Sequence, residues 1–262
     1  MRPVFSPVKR ALLLLFVLAA AAALLWLWRT SVQPPQDNVD RDPEGRVARA
    51  RERRQEAIAG YFREAGVAYP PRELFLRALN HEALFEVWAR AEGGAFRLIR
   101  SYPITSSSGL PGPKRREGDR QVPEGFYTID RFNPLSLYHL SLRVNYPNES
   151  DRTLSDRDKP GFDIYVHGGD GSIGCVPIGD EGIDEVYLIA LGAGNRAVIP
   201  IHIFPARMSG PAWEEFVAPF RFSDPALVRF WENLRPGFEA FERNRNVPRI
   251  AVEKDGSYRV DR

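Results

Sequence analysis

Residues 163–177 read DIYVHGGDGSIGCVP, and this stretch carries the strongest indication of how the chain folds. Its apolar start alternates with period two, which predicts a strand that ends at His167. Cys175, the single cysteine of the chain, follows eight positions later, and four glycines and Ser172 separate the two. Glycine is costly at a strand end unless the backbone turns tightly or approaches another group closely. We therefore expect the strand to deliver an imidazole and a thiol to one tight loop.

A thiol and an imidazole this close in sequence are a candidate nucleophile and its base. A thiolate is a strong nucleophile when a neighbour lowers its pKa or takes its proton, and an imidazole does both. A single cysteine after an apolar strand is also commonly a small buried hydrophobe. Composition and spacing alone leave both interpretations open.

The run Ser172–Cys175, with His167 and Gly168 upstream, resembles the signature of the L,D-transpeptidase (YkuD-type) family, in which a His-Gly pair precedes Ser-x-Gly-Cys. Other stretches agree with this resemblance over about residues 74–241. Three stretches are similar to the entry segment of the family, namely 112–114, 118–119 and 123–127. Three others are similar to its YafK-like branch, namely 133–141, 145–148 and 182–187.

The resemblance implies a mostly β domain with peripheral helices, as two packed sheets or a distorted barrel. It also implies that Cys175 is the nucleophile, that His167 is its base, and that the carbonyl of Gly168 orients the imidazole. The amides of Gly174 and Cys175 would stabilise the oxyanion, since glycine permits a close approach. In the family the cysteine attacks a peptidoglycan stem peptide next to its diamino acid, and water or an amine resolves the thioester. No cofactor or metal is implied.

The candidates for substrate binding are Ser172 and residues of segment 138–146. This segment alternates between apolar and polar side chains, which predicts a strand. The polar face carries His139, Arg143 and Asn145. This face is either solvated or lines the groove beside Cys175, where Arg143 would be the natural partner of a substrate carboxylate. Ser172 would either tie down the turn or bond the substrate.

The fate of the thioester distinguishes the functional alternatives. Ile173 and Pro177 stand where many family members have histidine and arginine. This chain therefore lacks two polar side chains that other members have at these positions. The YafK-like resemblance implies hydrolysis that releases covalently attached outer-membrane lipoprotein from peptidoglycan. The alternatives are transpeptidation, which forms cross-links or attaches lipoprotein, and a catalytically inactive, membrane-tethered wall-binding protein. A zinc site of Cys175 with His167, His139 or His202 is a weaker alternative, because no paired ligand spacing is present.

Composition excludes several other classes of protein. The 262 residues are 44% hydrophobic and 27% charged, which is typical of a globular chain with one sizeable core. A net charge of +2 provides no broad basic surface for nucleic acid. One cysteine excludes an intramolecular disulfide, and nothing in the sequence indicates an oligomeric state.

The uncharged run 11–28 predicts how the chain is located. At 1.5 Å per residue it spans about 27 Å, close to the thickness of a hydrocarbon core. We expect an uncleaved signal anchor in the cytoplasmic membrane with the catalytic domain in the periplasm, and a cleaved signal peptide is the alternative. The expected organisation is an anchor (1–30), a linker and basic helix (31–70), a catalytic domain (71–205) and a helical and hairpin extension (206–262).

Overall fold

Eight strands form one mixed sheet at the centre of the protein, in the order β3-β2-β1-β8-β4-β5-β6-β7. The computed structural model describes residues 42–261. The strands of the sheet are β1 (Glu73–Leu79), β2 (Leu84–Arg90), β3 (Arg97–Pro103), β4 (Gly125–Asn133), β5 (Ser141–Val144), β6 (Ile164–His167), β7 (Val176–Pro177) and β8 (Ile199–Phe204). The β1/β8 and β6/β7 pairs are parallel and the others are antiparallel.

Within residues 42–261, six helices and a terminal hairpin surround this sheet. They are α1 (Pro43–Ala65), α2 (Glu149–Leu154), α3 (Gly179–Gly192), α4 (Gly210–Val217), α5 (Phe220–Ser223), α6 (Pro225–Asn244), β9 (Ile250–Val252) and β10 (Tyr258–Val260). The expected β domain with peripheral helices is therefore present. The eight strands form one continuous sheet, because β8 pairs with β1 on one side and with β4 on the other.

Strand β1 is buried on both faces and separates two parts of the core. Leu74 and Leu76 face a cluster that includes α1 and α3, while Leu79 joins a second cluster built on α4 and α6. The guanidinium of Arg77 is only 1% exposed and lies 2.6 Å from Glu86, its buried partner on β2. Removing one partner of such a buried pair is costly, so this ion pair is a firm link within the hairpin.

Helix α1 docks on the sheet domain through both apolar and charged contacts. Asp42 caps its first turn by accepting a hydrogen bond from the amide of Gly45 at 2.9 Å. Ile58 and Phe62 enter the core. Its arginines pair with acidic side chains at the start of α3, as Arg53 does with Asp184 at 2.8 Å.

The strand predicted over residues 138–146 is shorter than its alternating pattern indicates. Regular pairing begins only at Ser141, and His139 has a φ of 70°. Residues 134–140 instead form turns that lead into β5. The polar face predicted for one continuous strand is consequently divided between a loop and a strand.

The predicted anchor and the start of the linker lie outside the described residues. Within residues 42–261, none of the helices combines the length and the apolar character needed to span a bilayer. These residues belong to one compact unit. The domain boundaries at 71 and 206 stay predictions.

Candidate active site

Strands β6 and β7 bring the histidine and the cysteine to one face of the sheet edge. Their parallel register aligns Val166 with Val176 and His167 with Pro177. Cys175 immediately precedes β7, and because side chains alternate along a strand, it lies on the same face as His167. Both side chains line a cavity of about 250 Å³. The rest of its lining is Asn133, Leu135, Ser136, Leu137, Tyr138, Ser141 and Tyr165.

The imidazole of His167 is held in one orientation by its own turn. Its Nδ1 lies 2.6 Å from the carbonyl oxygen of Gly168, and since a carbonyl only accepts, Nδ1 carries the hydrogen. Nε2 is then the basic atom. The ring of Tyr138 packs on the imidazole with centroids 4.7 Å apart. Burial lowers the pKa of His167, against the opposing effect of the Gly168 bond, so the ring is neutral at neutral pH.

Burial acts on Cys175 in the opposite direction and raises the pKa of its thiol. The backbone of Tyr165 and the charge of Lys114 oppose this rise, and the charge of Asp163 adds to it. The resting pair is therefore a neutral thiol and a neutral imidazole. Sequence reasoning expected the imidazole to lower the thiol pKa, but loss of solvent around the sulfur is the larger effect.

Ser172 ties down the turn that carries the cysteine. Its hydroxyl donates to the carbonyl of Cys175 at 2.8 Å and accepts from the amide of Gly174 at 3.2 Å. Of the two roles considered for Ser172, tying down the turn is the one that these contacts describe. The amide of Gly174, an expected oxyanion donor, is shared with this hydroxyl.

Positions 168 and 174 require glycine, because other groups approach the backbone closely at both. A Cβ on Gly168 would lie 2.5 Å from a carboxylate oxygen of Asp180 and 2.9 Å from the carbonyl of Tyr138. Gly174 has a φ of 122°, and a Cβ there would lie 2.8 Å from the carbonyl of Gln121. Both glycines therefore let neighbouring segments pack directly against the turn.

The structure does not bring the three polar residues of segment 138–146 to the cavity wall. The Nε2 of His139 donates to Asp184 at 2.6 Å. Arg143 makes two hydrogen bonds of 2.8 Å with Asp130 on β4. The Asn145 side chain accepts from the amide of Thr128 at 2.8 Å. Each side chain is thus engaged by a neighbour, and their assignment as substrate ligands stays a prediction.

Sequence reasoning missed several residues that shape the site. Lys114 is buried and pairs with Asp119 at 2.7 Å, which closes the long loop between β3 and β4. That loop reaches the cysteine turn where the hydroxyls of Ser108 and Ser172 lie 3.2 Å apart. Both Lys114 and Asp119 fall within the motifs that resemble the family's entry segment, so the signal was present. Tyr138 also falls within a stretch that resembles the family, but nothing in that stretch indicates that its ring packs on His167.

The histidines considered for a metal site are dispersed in the structure. His202 packs against the rings of Phe75 and Phe126, and burial lowers its pKa to about 3, with the charge of Arg77 acting in the same direction. His139 is bonded to Asp184. Over residues 42–261, no group of three or more His, Cys, Asp or Glu side chains is arranged to hold a metal ion.

The sheet presents a buried histidine and a half-buried cysteine to one cavity, beside a glycine-rich turn. These features are those of a β-sheet domain with a cysteine nucleophile. Comparison with protein families makes this class specific. Residues 81–199 match the family model YkuD, the L,D-transpeptidase catalytic domain. The chain belongs to the L,D-transpeptidase family.

Relatives of this chain are found among curated sequences and solved structures. YafK of Escherichia coli K12, described as a proposed L,D-transpeptidase, is 31% identical over 193 residues, which cover 72% of this chain and 74% of YafK. The helical cell shape determining protein Pgp2 of Campylobacter jejuni is 16% identical with a TM-score of 0.42, covering 75% of this chain and 80% of Pgp2. Bd1075 of Bdellovibrio bacteriovorus is 22% identical with a TM-score of 0.36, covering 62% and 59%.

Proposed function

We propose that this protein is a cysteine-dependent acyl-transfer enzyme that acts on peptidoglycan stem peptides. The observation that carries the proposal is the shared cavity of Cys175 and His167, in which Nδ1 of the histidine is occupied by Gly168. That bond leaves Nε2 free to accept the thiol proton. The family supports a substrate in the cell wall.

The reaction proceeds from a neutral pair. Nε2 of His167 accepts the proton from Sγ of Cys175 as the sulfur attacks the carbonyl next to the diamino acid. The C–N bond then breaks, the proton passes from Nε2 to the departing amine, and a thioester remains on Cys175. Amides at Gly174 and Cys175 stabilise the oxyanion, with Ser172 holding their turn. Water or a second amine then resolves the thioester.

We propose hydrolysis as the favoured outcome, with release of covalently attached lipoprotein. Large apolar side chains that line the cavity are exposed, among them Leu137 at 85% and Tyr138 at 52%. Exposed apolar groups clustered at one site are typical of surfaces that bind protein. This rim suits a polypeptide attached to the stem better than a second polar stem peptide. Ile173 and Pro177 also lack the polar side chains that could hold an acceptor amine.

We further propose that the chain is held in the cytoplasmic membrane by residues 11–28, with its catalytic domain in the periplasm. The uncharged, leucine- and alanine-rich composition of this run supports the proposal. Fractionation of cells and protease treatment of spheroplasts test it. A protein that begins after the alanine tract and fractionates with the soluble periplasm would contradict it.

Product analysis tests the proposed reaction. The full chain in detergent is incubated separately with stem tetrapeptides and with lipoprotein-linked muropeptides, and products are identified by mass. The expected products are a released lipoprotein peptide and a free stem, with no cross-linked dimers. Dimers in quantity would instead favour transpeptidation.

A covalent probe tests the nucleophile itself. A β-lactam of the carbapenem type should add one ligand mass to the wild-type protein and none to Cys175→Ser. A Cys175→Ser variant with full activity on peptidoglycan would contradict the mechanism. A wild-type protein that makes no product and takes up no carbapenem would support the inactive, wall-binding alternative.

A further inference from the structure

The first turn of helix α1 reaches a loop that is part of the active-site wall. Arg46 lies 88 to 93 positions before this loop in sequence, yet its Nη1 lies within hydrogen-bond distance of three of the loop's carbonyl oxygens. The three distances are 3.2 Å to Pro134, 3.0 Å to Ser136 and 2.9 Å to His139. A single guanidinium nitrogen thus gathers three backbone acceptors that span the loop.

Residues 134–139, which we name the site loop, form one side of the cavity that holds Cys175. The loop supplies four of its lining residues, Leu135 to Tyr138. It also touches the histidine directly, because the Tyr138 ring packs on His167 at 4.7 Å. The carbonyl of Tyr138 accepts from the amide of Gly168 at 3.0 Å. The position of the site loop therefore sets both the cavity wall and the surroundings of the imidazole.

Few contacts within the site loop hold it in place. The amide of Leu135 donates to the side chain of Asn133 at 3.1 Å, and the amide of Tyr138 donates to the hydroxyl of Ser136 at 3.1 Å. Both bonds are short-range and shape individual turns. The three carbonyls bound by Arg46 attach the backbone of the loop to helix α1.

A second connection joins the same helix to the end of the site loop. Arg53, two turns further along α1, binds Asp184 of α3 at 2.8 Å. The other carboxylate oxygen of Asp184 accepts from Nε2 of His139 at 2.6 Å. Asp184 is only 2% exposed, so this carboxylate bridges the Arg53 guanidinium and the His139 ring in a largely desolvated position.

We propose that Arg46 is a positioning residue of the active site, supported by Arg53 through Asp184. Helix α1 holds the site loop so that Tyr138 stays over His167 and the cavity wall stays next to Cys175. This role explains why a basic helix lies against the catalytic domain, and it rests on the proposed acyl-transfer function. Helix α1 is then a part of the catalytic unit, and its basic residues act on the site.

The test compares charge-removing substitutions on α1 in the full chain. Arg46→Gln should lower the maximal rate of carbapenem acylation of Cys175 about tenfold or more, because a displaced wall and imidazole misalign the reacting groups. Arg46→Lys should recover much of the rate, since an ammonium keeps the charge and carries three donors for the three carbonyls. Arg51→Gln is the matched control, an exposed arginine of the same helix that interacts with Tyr69. Its acylation rate should equal that of wild type.

A readout independent of activity accompanies the rates. Because the Tyr138 ring packs on His167 at 4.7 Å, its ring current should shift the Hε1 proton of His167 in NMR spectra. Arg46→Gln should then move this signal and Arg51→Gln should not. Arg53→Gln changes an exposed side chain and should give a smaller effect of the same sign, which keeps the test valid if Arg46→Gln lowers the melting temperature. Folded variants at both positions with the wild-type rate and an unmoved His167 signal would overturn the proposal. A wild-type protein that is never acylated would instead contradict the proposed function, and the His167 signal would still decide the role of Arg46.

Discussion

His167 donates its Nδ1 hydrogen to the carbonyl oxygen of Gly168, the very next residue, across 2.6 Å. Because both groups belong to the same turn, the bond forms without help from any distant segment. It selects the tautomer in which Nε2 is unprotonated. Nε2 is therefore the atom that can accept the thiol proton. Burial of both partners then determines how the pair responds to pH.

The pH dependence should reveal a neutral resting pair. The pKa of His167 is lowered from 6.5, so acylation of Cys175 should be lost only as the pH falls below that value and the imidazole becomes charged. The pKa of Cys175 is raised from 9.0, so alkylation by iodoacetamide, which needs the thiolate, should still increase above pH 9. Rates of both reactions are measured across roughly pH 5 to 10.5, which covers the titration of histidine and cysteine. Fast alkylation at pH 6 that disappears in His167→Gln would show a preformed ion pair instead.

Gly168→Ala should disturb the site more than the fold. The added methyl group would lie 2.5 Å from the Asp180 carboxylate and 2.9 Å from a backbone carbonyl, so the turn must shift. We expect a loss of about 1–3 kcal/mol in the free energy of unfolding, as for other overpacked sites, and a large decrease in acylation rate. Gly171→Ala is the control in the same loop, since its nearest neighbour would be 3.8 Å away. Equal activity of the two variants would contradict this account of Gly168.

Ser172→Ala should reduce the rate of acylation while leaving the protein folded. The substitution removes a donor to the Cys175 carbonyl and an acceptor for the Gly174 amide. Loss of one such hydrogen bond costs about 1 kcal/mol, which corresponds to roughly a fivefold decrease in rate if the turn is ordered only in the transition state. Carbapenem acylation kinetics and thermal unfolding measure the two effects. A wild-type rate would show that Ser172 has no part in holding the turn during the reaction.

Glu124 should make folding stability depend on pH. This fully buried carboxyl accepts from Trp231 at 2.7 Å and from the amide of Gly112 at 3.3 Å, and burial raises its pKa from 4.5 to about 7. The folded state therefore keeps the proton where the unfolded state has lost it, and stability falls as the pH rises from about 4.5 to 7. The full effect is about 3 kcal/mol.

Glu124→Gln cannot titrate, so its stability relative to wild type should rise by about this amount across the same pH range. Urea unfolding at pH 4.5, 6 and 7.5 measures the difference between the two proteins. The pKa of Asp151 is raised to about 6, so this residue also lowers stability as the pH rises. Because both proteins contain Asp151, its effect cancels in the difference between them. A constant difference at all pH values would show that Glu124 does not titrate in this range.

Local features of the chain were predictable from sequence because they depend on neighbouring residues. The β1/β2 hairpin forms where two apolar runs flank a short polar turn, and its register follows from that turn. Helix α1 begins after Asp42 and ends at Ala65, before the capping residue Gly66, as capping preferences require. The His-Gly pair and the Ser-x-Gly-Cys run identified the family, which the comparisons confirm.

Tertiary structure alone decided what depends on residues distant in sequence. Strand β8 joins the two halves of the sheet by pairing with β1 more than a hundred positions away, and no local pattern specifies that partner. The pairing of Arg143 with Asp130 depends on how β4 and β5 lie next to each other, which the alternating pattern of segment 138–146 does not specify. The raised pKa of Cys175 comes from burial by packed segments, and burial is a property of the folded molecule. In the same way, only the folded chain places Arg46 against the site loop, because that contact requires α1 and β5 to be assembled on one sheet.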